Sequence, residues 1–101
     1  MSKWGLYTKF TAHQGQRGEL VDMLLRAASG MREAAGCELY VVNLPVDAND
    51  SVWVTEIWRD AAAHQESLSS KAAQDLIQQA RPLIAGIEQI KLETLGGHGI
   101  S

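Results

Sequence analysis

The sequence predicts an α+β fold in which a four-stranded antiparallel sheet carries helical segments on one face. Three observations predict it. Four stretches alternate side chains with the two-residue period of a strand. Between them, two longer stretches repeat apolar residues with the period of a helix. Their order along the chain is β-α-β-β-α-β, a split βαβ arrangement.

The first strand is expected over Trp4 to Ala12, with Leu6, Thr8 and Phe10 on one face and Tyr7, Lys9 and Thr11 on the other. His13-Gln14-Gly15 is a short turn. A helix is expected from Gln16 to Ala35, because Leu20, Met23, Leu24, Ala27, Ala28 and Met31 recur at helical spacing. Gly30 weakens it by about 1 kcal/mol relative to Ala, and Gly36 stands where a C-terminal cap belongs. Cys37 to Asn43 and Val52 to Trp58 are the second and third strands. The turn formers from Leu44 to Asp50 join them as an antiparallel hairpin.

Asp60 is the expected cap of a helix through His64 and Leu68, and Ser70 the cap of a second piece. In that piece Ala73, Leu76, Ile77 and Ala80 keep helical spacing until Pro82 kinks or ends it. Gly86 closes the segment, and Glu88 to Leu95 is the fourth strand. With right-handed connections this order is a ferredoxin-like sandwich, with the first and third strands expected as parallel neighbours.

Composition narrows the function classes. The 101 residues suit one domain, expected over 1–101 with a flexible tail from about residue 96. Hydrophobic residues make up 46%, enough for a core. The formal net charge of -3 leaves no electrostatic footprint for nucleic acid or anionic lipid. One cysteine, Cys37, excludes an internal disulfide and a multi-cysteine zinc site, and the three histidines have no ligand spacing. The GGHG run at Gly96 to Gly99 does not sit between a strand and a helix, so it fails as a phosphate cradle. No cofactor and no metal are expected. No apolar run is long enough for a bilayer and the start MSKWGLY has no apolar signal core, so a cytoplasmic protein is expected.

Both sheet faces carry apolar side chains. Tyr7, Tyr40, Val42 and Trp53 are assigned to the face away from the helices. That surface is large for a monomer, and a homodimer packed sheet to sheet is expected. The helix side is assigned Leu6, Thr8, Phe10, Leu39, Val41, Asn43, Val54, Glu56 and Trp58. His64 follows Trp58 by six residues, above the end of the third strand. An indole, an amide, a carboxylate and an imidazole then converge at the mouth of an apolar pocket, the pattern of a small-molecule site. Each has a plain structural alternative. Trp58 serves as core, Asn43 starts the turn before Pro45, Glu56 pairs with Arg26 or Arg32, and His64 faces solvent.

From VTEIWRD (Val54 to Asp60) outward, the chain resembles the antibiotic biosynthesis monooxygenase family, which includes small quinol monooxygenase-like proteins. The similarity runs through KFTAHQGQRGELVDMLL, MREAAGCELYVVN, VWVTEIWRDAAAHQESL and ARPLIAGIEQIKLETLGG. It implies a dimeric α+β barrel. It also implies oxidation of an aromatic quinol, phenol or anthrone-like substrate by O₂, without metal or flavin. An ionised, electron-rich phenol can itself reduce O₂, so the protein need only bind it, assist deprotonation and stabilise charge.

By resemblance, Trp58 matches the family's pocket tryptophan, and His64 falls where anthrone-oxidising members carry a tyrosine. Catalysis is expected from His64 and Trp58, with Asn43, Glu56, Val54, Thr8 and Phe10 around the substrate. The chain departs from the family at two positions. Val54 stands where those enzymes hold an asparagine, and Ser67 where many quinol-oxidising relatives hold a histidine. Thr8 and the segment Ile77 to Gln79 lack the asparagine and histidine of the haem-degrading branch. The family also contains an isomerase of a signalling sugar derivative. A non-oxidative isomerase or tautomerase, or a binding protein without turnover, is therefore the alternative.

Overall fold

The computed structural model describes residues 2–100; Met1 and Ser101, the ends of the expected domain and tail, lie outside the described residues. The strands are β1 (Lys3–Ala12), β2 (Cys37–Asn43), β3 (Ser51–Trp58) and β4 (Ile84–Thr94). The helices are α1 (Arg17–Gly30), α2 (Ala61–Ser67) and α3 (Lys71–Ala80). The sheet order is β2-β3-β1-β4, the ferredoxin-like order, with every neighbouring pair antiparallel.

This corrects the expected parallel pairing of the first and third strands. They are neighbours, but antiparallel. The hairpin turns β3 back along β2, and β3 inserts between β2 and β1. The parallel pair joined through α1 is therefore β1 and β2, one strand apart.

Two boundaries also move. The first helix stops at Gly30 rather than Ala35, passing into a 3₁₀ turn over Met31–Glu33 before Ala34 becomes extended. Pro82 ends α3 in a second 3₁₀ turn, and β4 begins at once at Ile84. Gly86 thus lies inside the strand, opposite Thr11. The caps follow the sequence reading. Asp60 Oδ1 accepts from the Ala63 amide at 2.8 Å, and Ser70 Oγ from the Ala73 amide at 3.1 Å.

The phase of β2 is reversed from the expected one. Tyr40 stands opposite Glu56 and Val42 opposite Val54, so both lie on the helix side. Leu39, Val41 and Asn43 take the outer face with Ile57, Thr55 and Trp53. Both faces of β2 are apolar, so alternation alone could not orient it. A register shift between Cys37 and Leu39 sets the phase instead. The outer face therefore holds Tyr7, Val41, Trp53, Ile57, Ile90 and Leu92, with Tyr7, Val41 and Ile90 exposed.

The packed core gathers Leu20 and Leu24 of α1 against Val52, Val54, Ala12 and Leu83. α3 contributes no fully buried residue, although its apolar residues share one face. Gly36 locks the start of β2 to α2. Its φ is +83°, and a Cβ there would stand 2.7 Å from the Ala63 Cβ. Its carbonyl also accepts the Arg59 amide at 2.7 Å. Gly36→Ala should destabilise the protein by about 2 kcal/mol through left-handed strain and overlap. Gly30→Ala meets open space at an ordinary helical φ and should stabilise by about 0.5–1 kcal/mol. Urea melts of the two variants should therefore shift in opposite directions.

Candidate active site

β3 and β1 supply the floor of the site. Alternation puts Glu56 and Trp58 on the same face of β3, two residues apart, with Leu6 and Trp4 of β1 opposite them. The Trp58 indole N–H donates to Glu56 Oε1 at 3.0 Å. α2 then runs across the end of β3, fixed by its Asp60 cap and by Gly36, and brings His64 over the pair. His64 Nε2 lies 3.8 Å from the same Glu56 Oε1, an ion-pair distance but too long for a hydrogen bond. The imidazole packs between two indoles. Its centroid is 4.6 Å from that of Trp4, tilted by 30°, and 5.5 Å from that of Trp58, edge-on at 72°. The His64 carbonyl accepts the Ser67 hydroxyl at 2.6 Å.

Beside this cluster a cavity of about 1040 Å³ opens between the sheet and the helices. Thr8, Phe10, Tyr40 and Glu56 line its floor, and His64 its edge. α1 and the apolar face of α3, through Leu76 and Ile77, form the roof. The incomplete burial of α3 is thus the structural cause of the cavity. The walls are mainly apolar, as a small-molecule site requires.

Burial governs the titration of the cluster. It raises the Glu56 carboxyl above the ordinary 4.5, partly offset by the Trp58 hydrogen bond. It lowers His64 below 6.5, with the Lys91 charge adding to the effect, so the imidazole is neutral at pH 7. The Tyr40 phenol is pushed well up, first by burial and then by the Glu56 charge, and keeps its proton. A neutral imidazole beside a buried carboxylate can accept a proton, and the carboxylate compensates the charge then formed.

The sequence-predicted site residues divide into three groups. Glu56, His64, Thr8 and Phe10 come together around the cavity. Trp58 and Val54 do not line it, and both are fully buried. α2 covers Trp58, which touches the site only through Glu56 and His64, while Val54 packs in the α1 core. Asn43 is on the opposite sheet face, where its amide donates to Thr55 Oγ1 at 3.4 Å. That follows from the reversed phase of β2. Glu56 pairs with neither Arg26 nor Arg32 among the described residues. Three contributors were missed: Trp4, Tyr40 and Gln89. Trp4 has the parity of Leu6 and Thr8, a signal present in the sequence. Among the described residues no three His, Cys, Asp or Glu side chains gather to hold a metal, and no helix is long and apolar enough to cross a membrane.

A four-stranded split βαβ sheet with helices over one face is an α+β, ferredoxin-like fold. The family model for antibiotic biosynthesis monooxygenase matches residues 5–79, and the chain belongs to that family. A candidate antibiotic biosynthesis monooxygenase from Chloroflexus aurantiacus J-10-fl is 40% identical over 99% of this chain and 100% of its own, with a TM-score of 0.90. A Pseudomonas aeruginosa protein shares the fold at 21% identity over 95% of this chain and 97% of its own, TM-score 0.86. So does a candidate antibiotic biosynthesis monooxygenase from Deinococcus radiodurans, at 19% identity over 97% and 98%, TM-score 0.82. No functionally curated protein matches the chain.

The raised carboxyl of Glu56 links stability to pH. A group that titrates higher folded than unfolded contributes stability in full below its unfolded value, here about 4.5, and loses it as pH rises through the folded value. Glu56→Gln still accepts the Trp58 N–H but cannot ionise. Its melting temperature relative to the parent should therefore climb as pH rises from 4 towards 8. A constant difference across that range would contradict the assigned burial of charge.

Proposed function

We propose that the protein is a cofactor-independent monooxygenase that oxidises an aromatic quinol, phenol or anthrone-like molecule with O₂. The observation that carries this reading is the His64–Glu56 pair at the edge of an apolar cavity large enough for an aromatic ring system. Family membership supports it. His64 Nε2 takes the proton of the substrate hydroxyl or enol, and the imidazolium forms 3.8 Å from Glu56 Oε1. The indole N–H of Trp58 holds that carboxylate in place and Trp4 holds the imidazole, so both tryptophans are positioning residues. The ionised ring gives electrons to O₂. One oxygen atom enters the product, the other leaves as water, and the substrate loses two hydrogens. Apolar walls favour this step by excluding water from the reactive anion.

Oxygen uptake with a panel of hydroquinones, naphthoquinols and anthrones tests the reading, with ¹⁸O₂ to trace the inserted atom. His64→Ala should lower turnover by about 10²- to 10⁴-fold while leaving the melting temperature within a few degrees. Parent activity should rise with pH through a midpoint below 6.5, because only the neutral imidazole accepts a proton and burial lowers its pKa. Equal turnover by His64→Ala would remove its role. Proton exchange between substrate and solvent without oxygen uptake would move the reading to an isomerase.

The same reading includes a homodimer closed through the outer sheet face, where Tyr7, Val41 and Ile90 are exposed. Light scattering at micromolar concentration should give twice the chain mass of 11.0 kDa. A species of single-chain mass, unchanged on concentration, would overturn it.

A further inference from the structure

Tyr40 carries a hydroxyl that the fold does not use. It is the cross-strand partner of Glu56 on β2 and shares the row of Leu6, on the helix side of the sheet. Its ring packs against the core and borders the cavity. Phenylalanine would serve that packing as well. A tyrosine hydroxyl largely taken out of water ordinarily has an acceptor, and leaving it without one is costly. Among the described residues none accepts from Tyr40. The Glu56 carboxylate takes its hydrogen bond from Trp58 and acts on the phenol through charge alone. Among the described residues no fully buried side-chain nitrogen or oxygen lacks a partner, so this unpartnered hydroxyl reaches open space, and the space that Tyr40 borders is the cavity.

Side chains stand roughly perpendicular to a sheet, so the longer phenol carries its oxygen beyond the carboxylate beside it, towards the helices. His64 reaches the same carboxylate from α2, its Nε2 3.8 Å from Glu56 Oε1. The phenol on the β2 side and the imidazole on the α2 side therefore flank the space above one carboxylate. The imidazole is neutral and accepts a proton, whereas the phenol is held protonated and offers a donor. Cys37 on β2 is the other ionisable neighbour of the phenol, and burial keeps its thiol neutral. Arg26 of α1 and Glu33 of the turn after it border the cavity from above.

We infer that Tyr40 is a catalytic residue, whose hydroxyl donates a hydrogen bond to the substrate oxygen that His64 deprotonates and so holds the resulting oxyanion. The inference rests on the monooxygenase reading for the reaction that uses this anion, but not for the anion site itself. The substrate O–H bond breaks, its proton passes to His64 Nε2, and the electron pair stays on the oxygen. The Tyr40 proton stays on Tyr40. Without that donor the new charge would face the Glu56 carboxylate with only the imidazolium to balance it. A hydrogen bond that strengthens as charge develops lowers the barrier more than it tightens binding.

4-Nitrophenol tests the site without turnover, since its anion absorbs at longer wavelength than its neutral form. Bound to Tyr40→Phe, it should ionise at a pH about one unit or more higher than when bound to the parent, the size expected of one hydrogen bond to a charged group. The melting temperature should not fall, because the ring that packs is kept. In oxygen uptake with the same panel, kcat of Tyr40→Phe should drop about 10-fold or more while KM changes less. An unchanged ionisation of the bound phenol, a kcat equal to the parent's, no binding of 4-nitrophenol by the parent, or a lower melting temperature as the sole effect would overturn the inference. The ionisation shift with no oxygen uptake by the parent would overturn the monooxygenase reading and leave the anion site standing.

Discussion

The hydrogen bond from Trp58 to Glu56 is the constraint on which the rest of the site depends. A carboxylate placed on the inner face of a sheet is costly to bury unless something satisfies it. Trp58 supplies one donor from the same strand, two residues on, so the geometry is built into β3 and needs no distant loop. The indole is then itself covered by α2, which Asp60 caps and Gly36 lets approach closely. His64 completes the arrangement from above. Its position is fixed by two indole rings rather than by a hydrogen bond to Glu56, which leaves Nε2 able to meet a ligand.

This arrangement accounts for the divided roles of the aromatic residues. Trp58 does not line the cavity and meets it through the carboxylate it orients. Tyr40 and Phe10 face the cavity directly. Burial favours the neutral forms of both Glu56 and His64, which keeps the imidazole ready to accept a proton at neutral pH. A solvent-exposed pair at the same distance would instead favour the ionised state of both partners.

Much of the fold was legible because local signals agreed with one another. Asp60 and Ser70 cap where their side chains suggest, and Pro82 ends α3. β2 was misread for a physical reason: CELYVVN is apolar on both faces, and only its register against β3 decides which side turns inward. That error carried Asn43 into the site and left Tyr40 out. Glu56 and His64 were legible because the parity of β3 and the start of α2 were both well marked. Gln89 was not, since its contact with Thr8 joins residues 81 positions apart in the chain and adjacent only in the sheet.

α3 packs differently from the rest of the structure. Its inner residues border a void rather than a filled core, and none is fully buried. Substitutions there forfeit fewer packing contacts than the same changes at Leu20 or Val52. The roof of the cavity can therefore be reshaped with little damage to the sheet that holds Glu56. A change in the size of the cavity is most readily accommodated along this helix, with the Glu56–His64 pair left intact beneath it.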